Sequence, residues 1–223
     1  MNPTIDLLLK RKSVRAFTDR PVTPLEKETL LQAAMRAPTA GNMMLYTILE
    51  VEDQNLKDRL AETCDDQPMI ARAPYVLLFL ADYQRWYDYY RSGGAEALCR
   101  ARGDTFRKPQ EGDLILACCD TLIAAHSAVI AAEALGMGSC YIGDILEEYE
   151  IHRDLFGLPP YALPITLICF GWPTAQQLAR RPVSRFAPEY IVHKDHYHRL
   201  SPAELEAMFA EQSAFYGDQR TDN

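Results

Sequence analysis

The alternation of apolar and polar residues divides the chain into interleaved helices and strands. Apolar residues at helical spacing predict helices over residues 3–9, 24–37, 53–64 and 202–215. Short apolar runs bounded by turn residues predict strands over residues 46–51, 75–81 and 165–170. The unbroken apolar run at 75–81 is typical of a strand at the centre of a sheet. This interleaving indicates an α/β or α+β sandwich.

Local signals set the limits of the second helix. Thr23 is predicted as its N-cap, Pro24 as its first residue and Glu26 as the third, the arrangement of a capping box. The helix is expected to stop at Pro38, where a loop of small residues, 38–42, would let backbone approach a ligand closely.

A long apolar helix is predicted over residues 113–135. Within it, residues 114–132 are interrupted by only two clearly polar side chains, Asp120 and His126. The run is long enough to span a bilayer. However, it is rich in Ala, Cys and Ser, lacks close flanking Arg or Lys, and belongs to a chain of mean hydropathy −0.21. A buried central helix is therefore favoured over a membrane span.

The remaining segments complete one predicted domain over residues 1–223. An aromatic stretch followed by a charged, glycine-containing stretch predicts an excursion at about 83–112. The glycine-punctuated segment 136–143 predicts a turn and a short strand. Its spacing differs from that of a dinucleotide fingerprint, and it follows a helix, so a Rossmann NAD site is not expected. An extended tail is predicted from about residue 174.

Composition limits the classes of binding partner and the cellular compartment that we expect for this chain. The formal net charge of −8 argues against nucleic acid, which needs an extended basic face. Six cysteines without a C-x-x-C pair, and the lack of a signal-peptide pattern at the N-terminus, indicate a reducing, cytoplasmic location. The histidine-dense segment 193–198 lacks the ligand spacing of a metal site, so no metal is expected.

The basic segment Arg11–Phe17 carries the most specific chemistry. Three cations and a hydroxyl lie within five residues of an acidic chain, which favours a site for one small anion such as a phosphate. In an extended backbone Arg11, Ser13 and Arg15 point to one side, where two guanidiniums can hold a phosphate, while Lys12 points elsewhere or uses its backbone. From this segment alone, a solvated basic turn is an equally open reading.

Four segments, in order along the chain, resemble those of the FMN-dependent nitroreductase and flavin reductase family. They are the R-x-S-x-R-x-F pattern at 11–17, the small-residue loop at 37–42, the A-x-x-L-G-x-G-x-x-x-I-G pattern at 132–143 and the G-W-P turn at 171–173. The resemblance covers most of the chain. It implies an α+β, nitroreductase-like fold with a central, mostly antiparallel sheet flanked by helices, in an intertwined homodimer with one FMN at each of two interface sites.

The resemblance also implies which residues bind FMN. Arg11, Ser13 and Arg15, with Lys12, would hold the phosphate and the polar edge of the flavin. Gln67 would contact the ribityl or pyrimidine part, and the loop residues Pro38, Thr39, Ala40 and Asn42 would cover the ring from the second subunit. The backbone beside flavin N5 would come from Tyr141, Ile142, Gly143 and Asp144. A further cation on the phosphate is expected from Arg185, with Arg181 as the second choice.

The implied activity is that of an FMN-dependent oxidoreductase. Hydride from NADH or NADPH would reach flavin N5, and a nitroaromatic, quinone or flavin-type acceptor would be reduced in a ping-pong mechanism. No side chain is expected to act as an acid or nucleophile, and Arg15 and Gly143 would support the chemistry at N5. Two alternatives stay open: an enzyme of the same fold that does not use nicotinamide, and a non-catalytic flavin-binding or redox-sensing protein.

Overall fold

The computed structural model describes the backbone of residues 2–219 and the side chains of residues 2–210 and 213. The chain divides into two compact units, the first ending at Arg180 and the second beginning at Arg181. Each unit is described by itself. The single domain with a tail from about residue 174 stays a prediction.

Helices and strands alternate through the first unit. Its helices are Pro3–Lys10 (α1), Pro24–Met35 (α2), Gln54–Thr63 (α3), Pro68–Arg72 (α4), Gln84–Ser92 (α5), Ala95–Ala101 (α6), Glu111–Ala134 (α7), Tyr149–Leu155 (α8) and Ala175–Ala179 (α9). Its strands are Tyr46–Glu50 (β1), Tyr75–Asp82 (β2), Gly138–Ile142 (β3) and Ala162–Gly171 (β4). The second unit contains the helix Pro202–Gln219 (α10).

The strands form one antiparallel sheet in the order β1-β2-β4-β3. The predicted α+β fold with a central antiparallel sheet is confirmed. Every residue of β2 is buried, which accounts for its continuous apolar run. On β3 and β4, Cys140 lies directly opposite Cys169.

Helices cover both faces of the sheet. On one face, α2 and α7 pack on side chains of β2 and β4 such as Phe79 and Phe170. On the other face, α3 and α4 contribute Leu60 and Ile70 to a second core with Leu167. Because side chains alternate along a strand, the same two central strands supply both cores.

The predicted start of α2 is confirmed in detail. Thr23 caps the helix, its hydroxyl accepts from Glu26 N, and the Glu26 carboxylate accepts from Thr23 N, completing the capping box. Several boundaries differ from the prediction, as at β4, which runs over Ala162–Gly171 instead of 165–170. Helix α7 begins two residues earlier, at Glu111, where the Asp113 carboxylate accepts from Gln110 N at 2.9 Å and caps the first turn. Within the predicted excursion, residues 95–101 form the regular helix α6.

Helix α7 is long and apolar enough to cross a membrane by length and composition. One side of it, including Ala124 and Ala128, is fully buried against α2, β2 and β4. The opposite side carries an exposed apolar stripe at helical spacing. Its members are Ile115, Leu116, Cys119, Leu122 and Ile123.

Candidate functional site

The basic segment runs as extended backbone along the edge strand β3. Val14 N donates to the Ser139 carbonyl at 2.9 Å, and Ser13 forms an isolated parallel bridge with Ser139. The Val14 side chain is 3% exposed and packs directly on Gly138. Because neighbouring side chains in extended backbone alternate, Ser13 points away from this buried contact, as the sequence predicted.

Lys12 bonds backbone carbonyls near α9. Its ammonium donates to the Leu178 carbonyl at 2.7 Å and to the Arg180 carbonyl, next to the C-terminus of α9, where a helix favours a cation. Gln177, buried on α9, accepts from Arg15 N at 3.2 Å and from Arg180 at 3.3 Å. These contacts fix the segment between β3 and α9.

Two side chains beside the basic segment, Glu133 and Ser139, each have a buried polar atom without a hydrogen-bond partner among the described residues, and so does Arg11. In Arg11 this atom is Nη1. Burial raises the pKa of Glu133, and the nearby cations Arg11 and Lys12 oppose that shift. Burial also raises the pKa of Tyr141 to about 12, again opposed by Arg11. Arg11 therefore lies where α7 ends and β3 begins, with a donor free for an anion.

Arg15 and Ser13 lie close to a buried thiol of β3. Burial raises the pKa of Cys140, and the charges of Arg15 and Arg11 together with hydrogen bonding to Ser13 and Arg15 oppose the shift. Arg11, Ser13 and Arg15 thus lie around one position of β3. The structure brings these three predicted residues together.

A cleft of about 410 Å³ opens beside Arg15. Phe17, Gln67, Met69 and Arg72 are among the side chains that line it. Arg15 and Gln67, both predicted to bind FMN, therefore share one cavity.

The turn after β3 lies next to Gln67. The Gln67 amide nitrogen donates to the Asp144 carboxylate at 2.8 Å and to the Cys64 carbonyl at 2.9 Å. Gly143 is exposed, with φ of −81°, and a Cβ atom placed there would meet nothing within 4 Å among the described residues. Neither backbone conformation nor packing within the chain requires glycine at this position.

His152 of α8 holds the same turn from the other side. Its ring is 0% exposed, Nδ1 lies 2.8 Å from the Ile145 carbonyl and Nε2 lies 2.8 Å from the Thr63 hydroxyl. Burial lowers the pKa of His152, so the neutral ring is favoured. No sequence motif pointed to this histidine.

The small-residue loop is anchored elsewhere, on Asp120 of α7. This carboxylate is 3% exposed and accepts from the Thr39 hydroxyl, from Ala40 N at 3.0 Å and from Leu45 N at 3.2 Å. The sequence analysis had noted Asp120 only as a polar interruption. A lone carboxylate in an apolar helix is the signal that could have identified it, because a buried charge needs donors.

The loop lies beside the N-terminal half of α7, and the basic segment lies beside its C-terminal end. Asp120 and Glu133 are thirteen residues apart on this helix, and a rise of about 1.5 Å per residue separates them by about 20 Å. Within one chain the structure therefore does not bring Pro38–Asn42 to Arg11.

The predicted tail contacts lie in the second unit. Arg181 and Arg185 are exposed there, and their contact with a phosphate stays a prediction. In the histidine-rich segment, the backbone amide of His198 donates to His193 Nδ1 and the His198 ring pairs with Glu204 at 3.0 Å. Among the described residues, no group of three or more His, Cys, Asp or Glu side chains could hold a metal ion.

Comparison with known proteins supplies independent information. The nitroreductase family model matches residues 8–172. An oxygen-insensitive NADPH nitroreductase of Salmonella typhimurium is 32% identical over 219 residues, which cover 97% of this chain and 83% of the relative. An NAD(P)H-using FMN reductase of Bacillus subtilis is 30% identical over 226 residues, with 99% and 85% covered.

Solved structures agree with the sequence comparisons. NfrA1 of B. megaterium superposes with a TM-score of 0.87 at 26% identity, covering 99% of this chain and 86% of that one. The NADPH:FMN oxidoreductase of Vibrio harveyi, solved in complex with NAD+, superposes with a TM-score of 0.83 at 25% identity, with 97% and 87% covered.

Proposed function

Since the chain belongs to the nitroreductase family, we propose that it passes electrons from NAD(P)H to a small acceptor by a ping-pong reaction at a site shared between two subunits. The predicted family is confirmed. The chain is an NAD(P)H-dependent flavin oxidoreductase with FMN as its cofactor. The proposal adds the reaction order, the acceptor class (a nitroaromatic, a quinone or a flavin), the residues of the site and the dimer.

The unpartnered Nη1 atom of Arg11 is the observation that carries the proposal. A buried guanidinium nitrogen without an acceptor costs free energy, and a phosphate oxygen is a well-matched partner for it. Ser13 and Arg15 lie beside the same part of β3 and add a hydroxyl and a second cation. These residues fit the phosphate of FMN and the polar edge of its ring.

The turn at Gly143 fits the flat part of the same cofactor. The missing side chain leaves open space beside the backbone, and among the described residues none accepts from the amides of Gly143 and Asp144. Gln67, which lines the cleft, already uses its amide nitrogen on Asp144 and Cys64, so its amide oxygen would be the acceptor for the ligand.

When bound, FMN supplies the redox chemistry, accepting hydride at N5 and returning electrons to the second substrate. The chain supplies position and charge. Arg15 would stabilise negative charge that develops on the pyrimidine side of the ring. Because burial raises the pKa of Cys140, this nearby thiol stays protonated and takes no nucleophilic role.

Two observations support a homodimer with shared sites. The exposed stripe on α7 includes Ile115, which is 64% exposed in the single chain, and an apolar surface of this kind is typical of an interface. In addition, Asp120, which anchors the Pro38–Asn42 loop, lies about 20 Å along α7 from Glu133, the residue beside Arg11. A second subunit, packed on α7, would bring its own loop to this site. We also place the protein in the cytoplasm, because its six cysteines are free.

FMN titration of the apo-protein, followed by NADH and NADPH oxidation with a quinone or a nitroaromatic, tests the function. Arg15→Ala is expected to lower turnover and FMN affinity. The charge-matched control Arg100→Ala, on the exposed surface of α6, should match the wild type. Retained affinity and turnover in Arg15→Ala would exclude the assigned role, and double-reciprocal plots that intersect would exclude ping-pong order.

Mixed dimers test whether the site is shared. Arg11→Glu and Asp120→Ala are each expected to abolish FMN binding as homodimers, one through the phosphate and the other through the loop. If one site takes Arg11 from one subunit and the loop from the other, a mixed dimer has one intact site and one with both changes. Random mixing should therefore restore FMN to about a quarter of the sites. No restoration in isolated mixed dimers would place both elements in the same subunit.

A further inference from the structure

The turn 143–146 is held by few contacts within its own backbone. Leu146 N donates to the Gly143 carbonyl and Glu147 N to the Asp144 carbonyl, both at 3.0 Å, which closes only one short 3₁₀ turn. Its position relative to the sheet depends on side chains from other elements. Ile145 is fully buried in the core beneath it.

Two polar side chains anchor consecutive residues of this turn. Gln67, at the start of α4, bonds the Asp144 carboxylate, and His152, on α8, bonds the Ile145 carbonyl. Both distances are 2.8 Å. Gln67 also lines the cleft, whereas His152 is fully buried behind the turn.

The hydrogen bonds of His152 determine its tautomer. A carbonyl oxygen only accepts, so Nδ1 carries the hydrogen that goes to Ile145. Nε2 of the neutral ring then accepts from the Thr63 hydroxyl. That hydroxyl also lies 3.0 Å from the Arg59 carbonyl, to which it can turn when the ring is protonated. The bond to Ile145 is therefore made in both charge states, with Glu148 and Arg59 as the charged groups whose fields act on the ring.

We propose that His152 is a positioning residue of the cofactor site, which holds the Gly143–Ile145 backbone at the place where the isoalloxazine binds. The inference rests on the proposed function, since it assigns the open side of Gly143 to FMN. His152 touches no reacting atom. It acts through one hydrogen bond to the turn, backed by Thr63 at the end of α3, so that the two helices α3 and α8 fix the height of the turn above the sheet.

Conservative variants can separate the two hydrogen bonds of the ring. His152→Phe keeps the ring volume but removes both bonds. His152→Asn places an amide nitrogen close to the position of Nδ1 and can still bond Ile145. His152→Gln reaches Thr63 but not Ile145. Thr121→Val is the matched control, because it removes a buried side-chain hydrogen bond from α7 without touching the turn.

Two measurements read the position of the turn. Amide hydrogen exchange of Leu146 and Glu147 in the apo-protein, the two amides bonded within the turn, is expected to quicken at least tenfold in His152→Phe and His152→Gln, and to stay near wild type in His152→Asn. FMN affinity from fluorescence titration should fall about tenfold in the first two variants, since misplaced backbone donors lose their ligand, and by less than about twofold in His152→Asn. Thr121→Val should change neither.

The outcomes distinguish this inference from the proposed function. Wild-type affinity and exchange in both His152→Phe and His152→Gln would overturn the positioning role. Equal losses in His152→Asn and His152→Gln would overturn it as well, because only general destabilisation would then remain. If His152→Phe does not fold, the Asn and Gln pair still decides. If the wild type binds no FMN, the proposed function fails. Unchanged amide exchange in the variants would then separately refute the positioning of the turn by His152.

Discussion

Replacing Asp120 by alanine is expected to release the small-residue loop from α7. The carboxylate is 3% exposed and accepts three hydrogen bonds, from the Thr39 hydroxyl and from the amides of Ala40 and Leu45. Alanine would leave all three donors without their acceptor in a place that water reaches poorly. The loop is the part of the site that we assign to the second subunit, so both stability and cofactor binding depend on this one side chain.

The magnitude follows from the number of donors. Each buried donor left unpaired costs about 1–3 kcal/mol, and partial relaxation of the exposed loop reduces the sum. Three unpaired donors set a sum of about 3–9 kcal/mol, and relaxation of the loop brings the expected loss of unfolding free energy to about 3–5 kcal/mol. Asp120→Asn retains one accepting oxygen but turns an N–H toward the donors, so about half of that loss is expected.

Urea unfolding of the apo-protein measures this loss. The protein concentration must be kept constant, because the stability of a dimer depends on it, and the slope m must be unchanged for the midpoints to be compared. Thr121→Val, one residue along α7, removes only a hydroxyl that bonds two carbonyls and should cost about 1 kcal/mol. A loss below about 1 kcal/mol in Asp120→Ala would refute the view that this carboxylate holds the loop.

Three further predictions concern other parts of the fold. A methyl group at Gly138 would come within 2.7 Å of Val14 Cβ, so Gly138→Ala should lower the free energy of unfolding in urea by about 1–3 kcal/mol. It should also weaken FMN binding in a titration, and unchanged affinity would contradict the idea that the packing of Val14 on β3 positions the basic segment. The backbone hydrogen bond from Thr23 lowers the pKa of Glu26. This cap therefore stabilises the fold at pH values above the ordinary pKa of a glutamate, and its contribution is lost as the pH falls below about 4.5. Glu26→Gln should therefore lose less stability than the wild type on acidification, as thermal melts at several pH values would show; parallel curves would argue against the linkage. Because burial raises the pKa of Cys140, iodoacetamide should label it in urea but not in the native protein, with labelling followed by peptide mass spectrometry, and rapid native labelling would disprove its burial.

Local patterns in the sequence predicted most of the elements because they depend on neighbouring residues. The capping box at Thr23 is complete within four residues, and the apolar run of β2 is long enough to be recognised without its partners. Ordered motifs identified the family, since a shared cofactor imposes similar residues in a similar order. The regular helix α6 inside the predicted excursion was missed, because the charged and glycine residues around it mask its short pattern.

The residues of the site also divide into those that local sequence patterns predict and those that only the structure reveals. The sequence alone determined that Arg11, Ser13 and Arg15 share one side of an extended segment, because alternation is a property of the backbone. Only the tertiary structure showed that Asp120 anchors the loop and that Thr63 holds His152 against the turn beside Gly143, since these hydrogen bonds join residues 80 and 89 positions apart and leave no local pattern. The separation of the loop from the basic segment is also visible only in the structure, because it is set by the length of α7 between Asp120 and Glu133. That separation is the physical reason to expect a second subunit at the site.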